Sequence, residues 1–387
     1  MLTGDRPTGP LHLGHYAGSL QTRVALQNVH QQTILIADLQ ALTDHSGRPR
    51  DVRRNVLEVA LDYLAVGIDP SVTTIALQSA IPEVAELTLL YLNLITLARL
   101  ERNPTVHSEI ELRGFARDIP AGFLAYPVSQ VADITGFRAT LVPVGEDRLP
   151  MIEQTNEIVR RLASLAGHAV VPECRALLST TPRLPGVDGR KASKSLGNAI
   201  ALSASPDEIR DSVRAMFTDS AHMRVSDPGR VEGNVVFAYL DAFDSRHEEV
   251  ENLKQQYRNG GLGDVALKRR LDEVLQTLLE PIRTRRALLA RDPGAVLGII
   301  RSGSERACSG AASVLSDVRE VFFLNDHGCP MLEHQASSAE TTAVLCQRLG
   351  PLLRCRLNDT LCTIPSCHRC TAPSRETCSF STSAPTQ

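Results

Sequence analysis

Three features are scarce in this sequence: long apolar runs, net charge and, before residue 324, cysteine. No run of about 20 apolar residues occurs, so we expect no membrane-spanning helix. Lysine and arginine total 41 against 44 aspartate and glutamate residues, a net charge of −3, so any nucleic-acid contact must use a local basic patch. Only Cys174 and Cys308 precede residue 324, which predicts a reduced, cytoplasmic protein body.

The composition is that of an ordinary globular protein, with 43% hydrophobic and 22% charged residues among 387. This length suits two domains with a large core. The chain starts with apolar Met1 and Leu2, the end of an expected first strand, so we expect no signal or transit peptide.

Alternating strand and helix patterns predict the fold of the first 200 residues. Three β-branched apolar runs without polar alternation, as in strands covered on both faces, lie at 33–37, 74–77 and 140–144. Helical patterns lie at about 51–66, 83–101 and 120–136. We therefore expect an α/β fold over 1–200, a Rossmann-like nucleotide-binding domain with a doubly wound parallel sheet and ligands at the carboxyl ends of its strands.

Strand patterns stop at about residue 205, where Ser205-Pro206 marks a helix start. Amphipathic patterns continue to about 323, so we expect an all-helical domain over 201–323. Its two basic clusters, 268–270 and 283–286, are either phosphate contacts or solvated helix faces.

A turn rich in glycine and proline delivers His12-Leu13-Gly14-His15 to the start of a helix. A helix start collects unpaired N–H groups, the two imidazoles can bind phosphate oxygens, and Gly14 leaves room for a flat ring against the backbone. The motif therefore suits a nucleotide cradle. Surface histidines or a pair of metal ligands are the alternatives.

A second motif, Lys191-Ala192-Ser193-Lys194-Ser195, is bounded by Gly189 and Gly197. Two lysines three residues apart suit a loop that follows a polyphosphate, although an isolated pair is more often a solvated basic turn. Together, the two motifs resemble those of class I aminoacyl-tRNA synthetases. That family has Met where Ala192 stands, which affects the resting position of the loop more than its chemistry.

Polar residues on an apolar helix indicate a pocket. Tyr126, Gln130 and Asp133 are spaced to share one face, where Asp133 could accept a hydrogen bond from a buried N–H. The alternative is a capping or interhelical network. Asp38, Gln40 and Gln78 follow two of the predicted strands, and for Gln78 we favour a polar cap that leaves the core.

With these elements and the following Gly145-Glu146-Asp147, the chain resembles bacterial-type tryptophanyl-tRNA synthetases over residues 1 to about 323. The resemblance implies that Asp133 accepts from the indole N–H, which helps to reject phenylalanine because a buried donor without an acceptor costs about 1–3 kcal/mol. It implies a tryptophan site of Gly4, Gln40, Tyr126, Gln130 and Asp133. It implies an ATP site of Arg6, Pro7, Thr8, Gly14, His15, Gly145, Glu146, Asp147, Leu184, Lys191, Ala192, Ser193, Lys194 and Ser195. The catalytic set would be His12, His15, Lys191, Ser193 and Lys194.

The sequence departs from this family at several site positions. The family more often has His at Gln40 and Met at Gln130. Arg148 and Met151 replace a Gln and a His, which affects how the amino group and ribose are bound. The family's mobile lysine corresponds to His107, and Leu2 stands where many relatives have an aromatic residue. We interpret these differences as those of a divergent subgroup.

The resemblance implies that tryptophan is activated with ATP and Mg²⁺ and then transferred to tRNA(Trp), by a homodimer whose helical domain reads the anticodon. A tyrosyl-tRNA synthetase is one alternative, but that enzyme would have a tyrosine in the first strand. A non-catalytic paralogue that binds tryptophan or nucleotide in a regulatory role is the other.

Residues 324–387 form a tail rich in Cys, Ser and Thr, which we expect to be a disordered or non-native extension. Cys362, Cys367 and Cys370, with Cys355 nearby, could instead bind zinc or an iron–sulfur cluster, although the spacing is not that of two CxxC pairs. We expect no metal site elsewhere.

Overall fold

The computed structural model describes residues 1–115, 118–178, 184–192, 196–219 and 222–325, and the backbone of 356–357 and 360–361. Residues 1–323 form one compact unit. The predictions for the tail, both the disordered extension and the cysteine metal site, concern residues that lie almost entirely outside the described ones.

The carboxyl ends of parallel strands define one edge of this unit. Strands β1 (Leu2–Asp5), β2 (Gln32–Ile36) and β3 (Thr73–Leu77) form a parallel sheet in the order β1-β2-β3. Strands β4 (Leu141–Val144) and β5 (Arg175–Leu178) form a second parallel pair, and β4 lies close to β1. The three predicted strands and the parallel α/β fold are confirmed.

Fourteen helices accompany these strands among the described residues. Those of the first 200 residues are α1 (Leu13–His15), α2 (Gln21–Leu26), α3 (Asp38–His45), α4 (Pro49–Val66), α5 (Pro82–Leu92), α6 (Leu97–Glu101), α7 (Pro104–Arg113), α8 (Ala121–Gly136) and α9 (Leu149–Ala166). The later ones are α10 (Pro206–Ala215), α11 (Val235–Phe243), α12 (His247–Asn259), α13 (Asp264–Leu289) and α14 (Pro293–Val321). A π-helical turn, Tyr16–Leu20, joins α1 to α2, and the tail contains the antiparallel strands β6 (Arg356–Leu357) and β7 (Thr360–Leu361).

Local capping decides two helix boundaries. Ser205 caps α10 as predicted, since its side chain accepts from the Glu208 N–H and the Glu208 carboxylate accepts from the Ser205 N–H. The prediction of one helix over 83–101 is wrong, because Thr96 begins a new helix by accepting the N–H of Arg99.

The sheet is covered on both faces, as its continuously apolar strands predict. Ile34 and Ile75 belong to one buried cluster, which continues through α4 into α10–α13. Leu35 and Ala76, the neighbouring residues, point the other way into a second cluster with α5, α8, α9 and α14. The later helices therefore share a core with the sheet.

Helix α14 closes the free edge of β3. Gly303 lies so close to this strand that a Cβ atom there would overlap the carbonyl oxygen of Ile75. The hydroxyl of Ser304 accepts the N–H of Leu77 at 2.9 Å, which satisfies an edge donor that no strand pairs with. This contact fixes the end of β3, where Gln78 follows.

Two further predictions from the sequence concern the early cysteines and membrane-spanning helices. Cys174 and Cys308 are both free thiols. Over the ranges that the structure describes, no helix is long and apolar enough to cross a membrane.

Candidate active site

The His12–His15 turn is held by its own side chains. His12 caps α1, its Nδ1 accepting the N–H of Gly14 at 3.1 Å, while the N–H of His12 donates to Nδ1 of His15 at 3.3 Å. The two ring centroids are 3.9 Å apart. Because each Nδ1 accepts a backbone N–H, the neutral form of each ring carries its proton on Nε2. In this neutral tautomer each ring can donate from Nε2 to a phosphate oxygen.

Gly14 lies against the ring of His12. A Cβ atom at Gly14 would lie 2.9 Å from Cε1 of His12, which is closer than real side chains allow. The sequence analysis assigned this glycine to a bound flat ring, and that role remains a prediction. The contact with His12 is a second reason for glycine here.

The histidine turn is paired with the segment that follows the lysine motif. The N–H of Leu13 donates to the carbonyl of Ile200 at 2.9 Å, and the N–H of Leu202 donates to that of Leu11 at 2.9 Å. His12 and Ala201 form an antiparallel bridge between these bonds. The segment that follows the lysine loop is therefore paired directly with the histidine turn.

Ser193, Lys194 and Ser195 lie outside the described residues, but both ends of their loop are defined. Asn198 is buried, and its Nδ2 donates to Asp188 at 2.8 Å and to the carbonyl of Lys191 at 3.2 Å. The side chains flanking the loop differ in exposure: Leu184 is buried in the core, Ala192 is half-buried and Lys191 is exposed. The sequence analysis did not identify Asn198 as the residue that joins the two ends.

A buried aspartate on α4, Asp62, holds the backbone just before the histidine turn. Asp62 accepts the N–H of Leu11 at 2.8 Å and the Nε–H of Arg286 on α13 at 2.8 Å. Burial raises the pKa of Asp62, and these two hydrogen bonds oppose that rise. An aspartate within an otherwise apolar helix face was the available sequence signal, and it was missed.

The basic clusters of the helical segment are engaged inside the molecule. Lys268 donates to the carbonyls that end α10, at 2.8 Å each, and Arg270 pairs with Asp244. Arg285 donates to the carbonyl of Ala65 at 2.6 Å, and Arg286 pairs with Glu58 as well as Asp62. These four cations therefore hold helices together, and phosphate contacts of the two clusters remain a prediction.

The loop after β1 begins at a buried ion pair that the sequence analysis also missed. Asp5 accepts from Arg23 at 2.7 Å and from the hydroxyl of Tyr63 at 2.8 Å. Burial alone would raise the pKa of Asp5, but Arg23, His15 and the two hydrogen bonds outweigh it and hold this pKa well below its usual range.

Arg6, one of the residues assigned to ATP, is held by Asp44 at the end of α3. Asp44 has a buried side chain and pairs with Arg6 at 3.1 Å, with Arg113 of α7 at 2.5 Å and with His45 at 2.7 Å. Burial opposes ionisation of Asp44, yet these three partners together lower its pKa. Among the neighbours of Arg6, Pro7 is buried and Thr8 donates its N–H to the Arg6 carbonyl at 2.8 Å.

Gly145, Glu146 and Asp147 form an exposed turn at the carboxyl end of β4. A Cβ atom at Gly145 would lie 2.8 Å from the Asp147 carboxylate. Thr105, next to the start of α7, donates its hydroxyl to the Asp147 carbonyl at 2.8 Å. The turn thus lies at the strand edge expected to bind ligands, and its contact with ATP remains a prediction.

Asp133 of α8 is buried against two glutamines. Nε2 of Gln40 donates to it at 2.7 Å, and Nε2 of Gln78 lies 2.9 Å from both carboxylate oxygens. Burial raises the pKa of Asp133 to about 7, although the Gln78 hydrogen bond lowers it in part. The prediction that Gln78 is a polar cap is wrong: its side chain is fully buried and directed at Asp133. Asp38, which also follows a predicted strand, accepts the N–H of Ser79 at 2.9 Å.

The remaining residues assigned to tryptophan are Gln130, Gly4 and Tyr126, and Gln130 contacts this cluster. Gln130 reaches Gln40 at 3.5 Å, so Asp133, Gln40 and Gln130 form one group. At Gly4, a Cβ atom would lie 2.6 Å from the carbonyl oxygen of Leu35. Tyr126 donates its hydroxyl to Glu109 of α7 at 2.9 Å, and burial raises its pKa well above the usual range.

The residues that depart from the family pattern fall into three environments. His107 is exposed on α7 and pairs with Glu111 at 3.6 Å. Met151 and Leu2 are buried, Met151 in a small cluster with Tyr126. Arg148 forms an ion pair with Glu109 at 2.9 Å, which joins it to the hydroxyl of Tyr126.

Comparisons with known proteins agree with one another. The profile described as "tRNA synthetases class I (W and Y)" matches residues 1–280. The tryptophan–tRNA ligase of Clostridium longisporum is 56% identical over 326 residues, covering 83% of this chain and 96% of that protein. That of Streptococcus agalactiae serotype V is 51% identical over 333 residues, covering 84% and 98%. The crystal structure of tryptophanyl-tRNA synthetase from Campylobacter jejuni, complexed with ADP and tryptophan, matches with a TM-score of 0.72 at 28% identity, covering 84% of this chain and 99% of that one.

Proposed function

The chain belongs to the class I tRNA synthetases for tryptophan and tyrosine, and on this premise we propose that it joins L-tryptophan to tRNA(Trp) at the expense of ATP. It is an aminoacyl-tRNA ligase. The observation that carries the choice of tryptophan is Asp133, a buried carboxylate whose hydrogen-bond partners are side-chain amides rather than a cation. A carboxylate held in this way has no neutralising counter-ion and can accept from a donor on the substrate, and the indole N–H is such a donor.

The first step of the reaction is attack of the tryptophan carboxylate on the α-phosphorus of ATP. A bond forms between a carboxylate oxygen and phosphorus, the bond from phosphorus to the bridging oxygen breaks, and pyrophosphate leaves. Negative charge increases on the leaving group, where Lys191 and Lys194 would stabilise it. His12 and His15 would donate from Nε2 to phosphate oxygens, in the tautomer that their backbone contacts select.

The second step transfers the tryptophanyl group. A ribose hydroxyl at the end of the tRNA attacks the carbonyl carbon of the adenylate, and AMP leaves. Neither step uses a side-chain nucleophile, so catalysis depends on positioning and on charge. The buried supports at Asp5, Asp44 and Asp62 are consistent with this requirement because they fix the loop between β1 and α1.

Mg²⁺ would enter as the counter-ion of ATP. Within the described ranges no group of three His, Cys, Asp or Glu side chains is suited to a metal ion. Mg²⁺ commonly keeps its waters and binds substrate phosphates with few protein ligands, so the phosphates themselves are its natural ligands here. We further propose a cytoplasmic homodimer whose helical segment contacts the tRNA, from the family resemblance alone.

The test is exchange of labelled pyrophosphate into ATP with tryptophan, tyrosine or phenylalanine as the amino acid. We expect exchange with tryptophan only. Exchange with tyrosine would instead make the chain a tyrosyl-tRNA synthetase. If protein that still binds tryptophan shows no exchange with any amino acid, the regulatory paralogue is favoured. The departures from the family at Ala192 and Arg148 would then be evidence for a binding protein.

A further inference from the structure

We propose that Glu109 binds the α-ammonium group of the tryptophan substrate, at the opposite end of the pocket from Asp133. The inference rests on the proposed function, since it concerns how the same amino acid is held. It assigns a role to an acidic residue of α7 that the sequence analysis did not identify.

The position of Glu109 follows from the geometry of α8. Tyr126 and Asp133 are seven residues apart on this helix, which places them on one face with a rise of about 10.5 Å between them. We place the amino acid along this face, with its indole N–H at Asp133 and its ammonium group toward Tyr126, because the resemblance assigns both residues to the tryptophan site. The hydroxyl of Tyr126 lies 2.9 Å from Oε2 of Glu109, so this carboxylate stands at that end of the face.

Charge supplies the second argument. At Arg148, where the family resemblance implies a neutral glutamine, the guanidinium would repel an ammonium group. Arg148 instead pairs with Oε1 of Glu109 at 2.9 Å, which balances its charge. A carboxylate offers about four acceptor sites, and the contacts to Tyr126 and Arg148 use two. Glu109 can therefore accept a hydrogen bond from the ammonium while it neutralises the arginine.

Of the two glutamates of α7 near this place, Glu109 is the one directed at Tyr126 and Arg148. Glu111 lies on the same helix, but its side chain is 69% exposed and pairs with His107. The Glu109 side chain is 23% exposed, so it is partly shielded from water. Met151, which replaces a histidine of the family, is buried beside Tyr126 and offers the ammonium group no strong acceptor.

The experiment compares two ligands in three proteins. The chain contains no tryptophan, so indole fluorescence reports the ligand alone when excitation avoids tyrosine. L-tryptophan and indole-3-propionic acid, which lacks only the amino group, are titrated into the wild-type protein, Glu109→Gln and Glu111→Gln. We expect the affinity ratio of the two ligands to fall about 10- to 100-fold in Glu109→Gln, the value of a charge-assisted hydrogen bond. In the exposed control, Glu111→Gln, the ratio should not change.

An unchanged ratio in Glu109→Gln would overturn the proposal. If that variant fails to fold because Arg148 has lost its partner, the double variant Glu109→Gln/Arg148→Met is compared with Arg148→Met alone, and the ratio must be lower in the double variant. Equal ratios in those two variants would equally refute the role of Glu109. Pyrophosphate exchange by the wild-type protein separates the two proposals, because tryptophan-dependent exchange with an unchanged ratio contradicts only the role of Glu109.

Discussion

The amide nitrogen of Gln78 lies 2.9 Å from each carboxylate oxygen of Asp133, so a single glutamine spans the whole acceptor group of the proposed indole site. Its Oε1 in turn accepts the N–H of Gln40 at 3.2 Å, and Gln40 donates to the same aspartate. Because Gln78 follows β3 directly, and Ser304 of α14 holds the end of that strand, the orientation of Asp133 depends on packing well outside the pocket.

Replacing Gln78 with methionine should weaken tryptophan binding about tenfold or more. The variant removes a donor that orients Asp133 and stabilises its charged form, while it keeps a similar side-chain volume. The measurement is a fluorescence titration with tryptophan. Gln31→Met, at an exposed position before β2, serves as the control and should bind normally. Equal affinities in the two variants would show that Gln78 does not position Asp133.

Tryptophan binding should depend on the ionisation of Asp133. Its pKa is raised to about 7 by burial, above the ordinary value of 3.8, so a fall in pH through that region protonates the carboxylate and removes an acceptor. We expect affinity to decrease from about pH 8 to about pH 6. The dissociation constant of Asp133→Asn, measured over the same range, should be weaker throughout and nearly flat. A parallel pH dependence in the variant would assign the titration to another group.

The Arg286→Met substitution should destabilise the protein by about 3–5 kcal/mol, because it leaves the fully buried Asp62 without its cation. Chemical denaturation measures the change. Arg269→Met, on the exposed face of the same helix, should stay within about 0.5 kcal/mol of the wild type. A similar loss in both variants would mean that removal of any arginine from α13 is harmful.

Two glycines of α14 should respond in opposite ways to alanine. At Gly303 the new Cβ would overlap the Ile75 carbonyl, so Gly303→Ala should cost about 1–3 kcal/mol as helix and strand move apart. At Gly310 no atom outside the helix lies within 4 Å, so Gly310→Ala should stabilise by up to about 1 kcal/mol through helix propensity. Thermal unfolding of both variants tests the contrast, and stabilisation of Gly303→Ala would contradict the close approach to β3.

Lys194 lies outside the described residues, and its predicted role comes from the sequence motif. Lys194→Ala should lower the turnover of pyrophosphate exchange far more than the affinity for tryptophan, since the lysine acts on charge that develops in the transition state. Exchange kinetics and a tryptophan titration measure the two effects. Equal losses in both would remove Lys194 from the transition state.

The sequence was most informative where the relevant contacts are local. The apolar runs predicted three strands, because a strand covered on both faces needs a continuously apolar stretch. Ser205 and Pro206 predicted the start of α10, since an N-cap residue and a proline in the first turn are adjacent in sequence. The break at Thr96 was missed because threonine is also common inside apolar helical patterns, and only its contact with Arg99 shows that a helix begins there.

In the candidate site, too, the sequence was informative where the contacts are local. His12, Gly14 and His15 contact one another within a single turn, so their spacing predicted a local cluster, and the nucleotide cradle that it suits stays a prediction. Asp133 was also identified, because a polar residue recurring at helical spacing on an apolar helix is conspicuous. The predicted family and the activity that it implies were confirmed by relatives that cover most of the chain.

The sequence by itself determined the parallel α/β fold and the family, because both depend on patterns of neighbouring residues. Only the tertiary structure decided which polar residues are partners. Gln78 and Asp133 are 55 residues apart and Asp62 and Arg286 are 224 apart, so no local pattern distinguishes them from surface polar residues. A buried polar group costs free energy until it meets its partner. The packing of α8 and of the turn after β3 against α3, and of α13 against α4, brings these partners together.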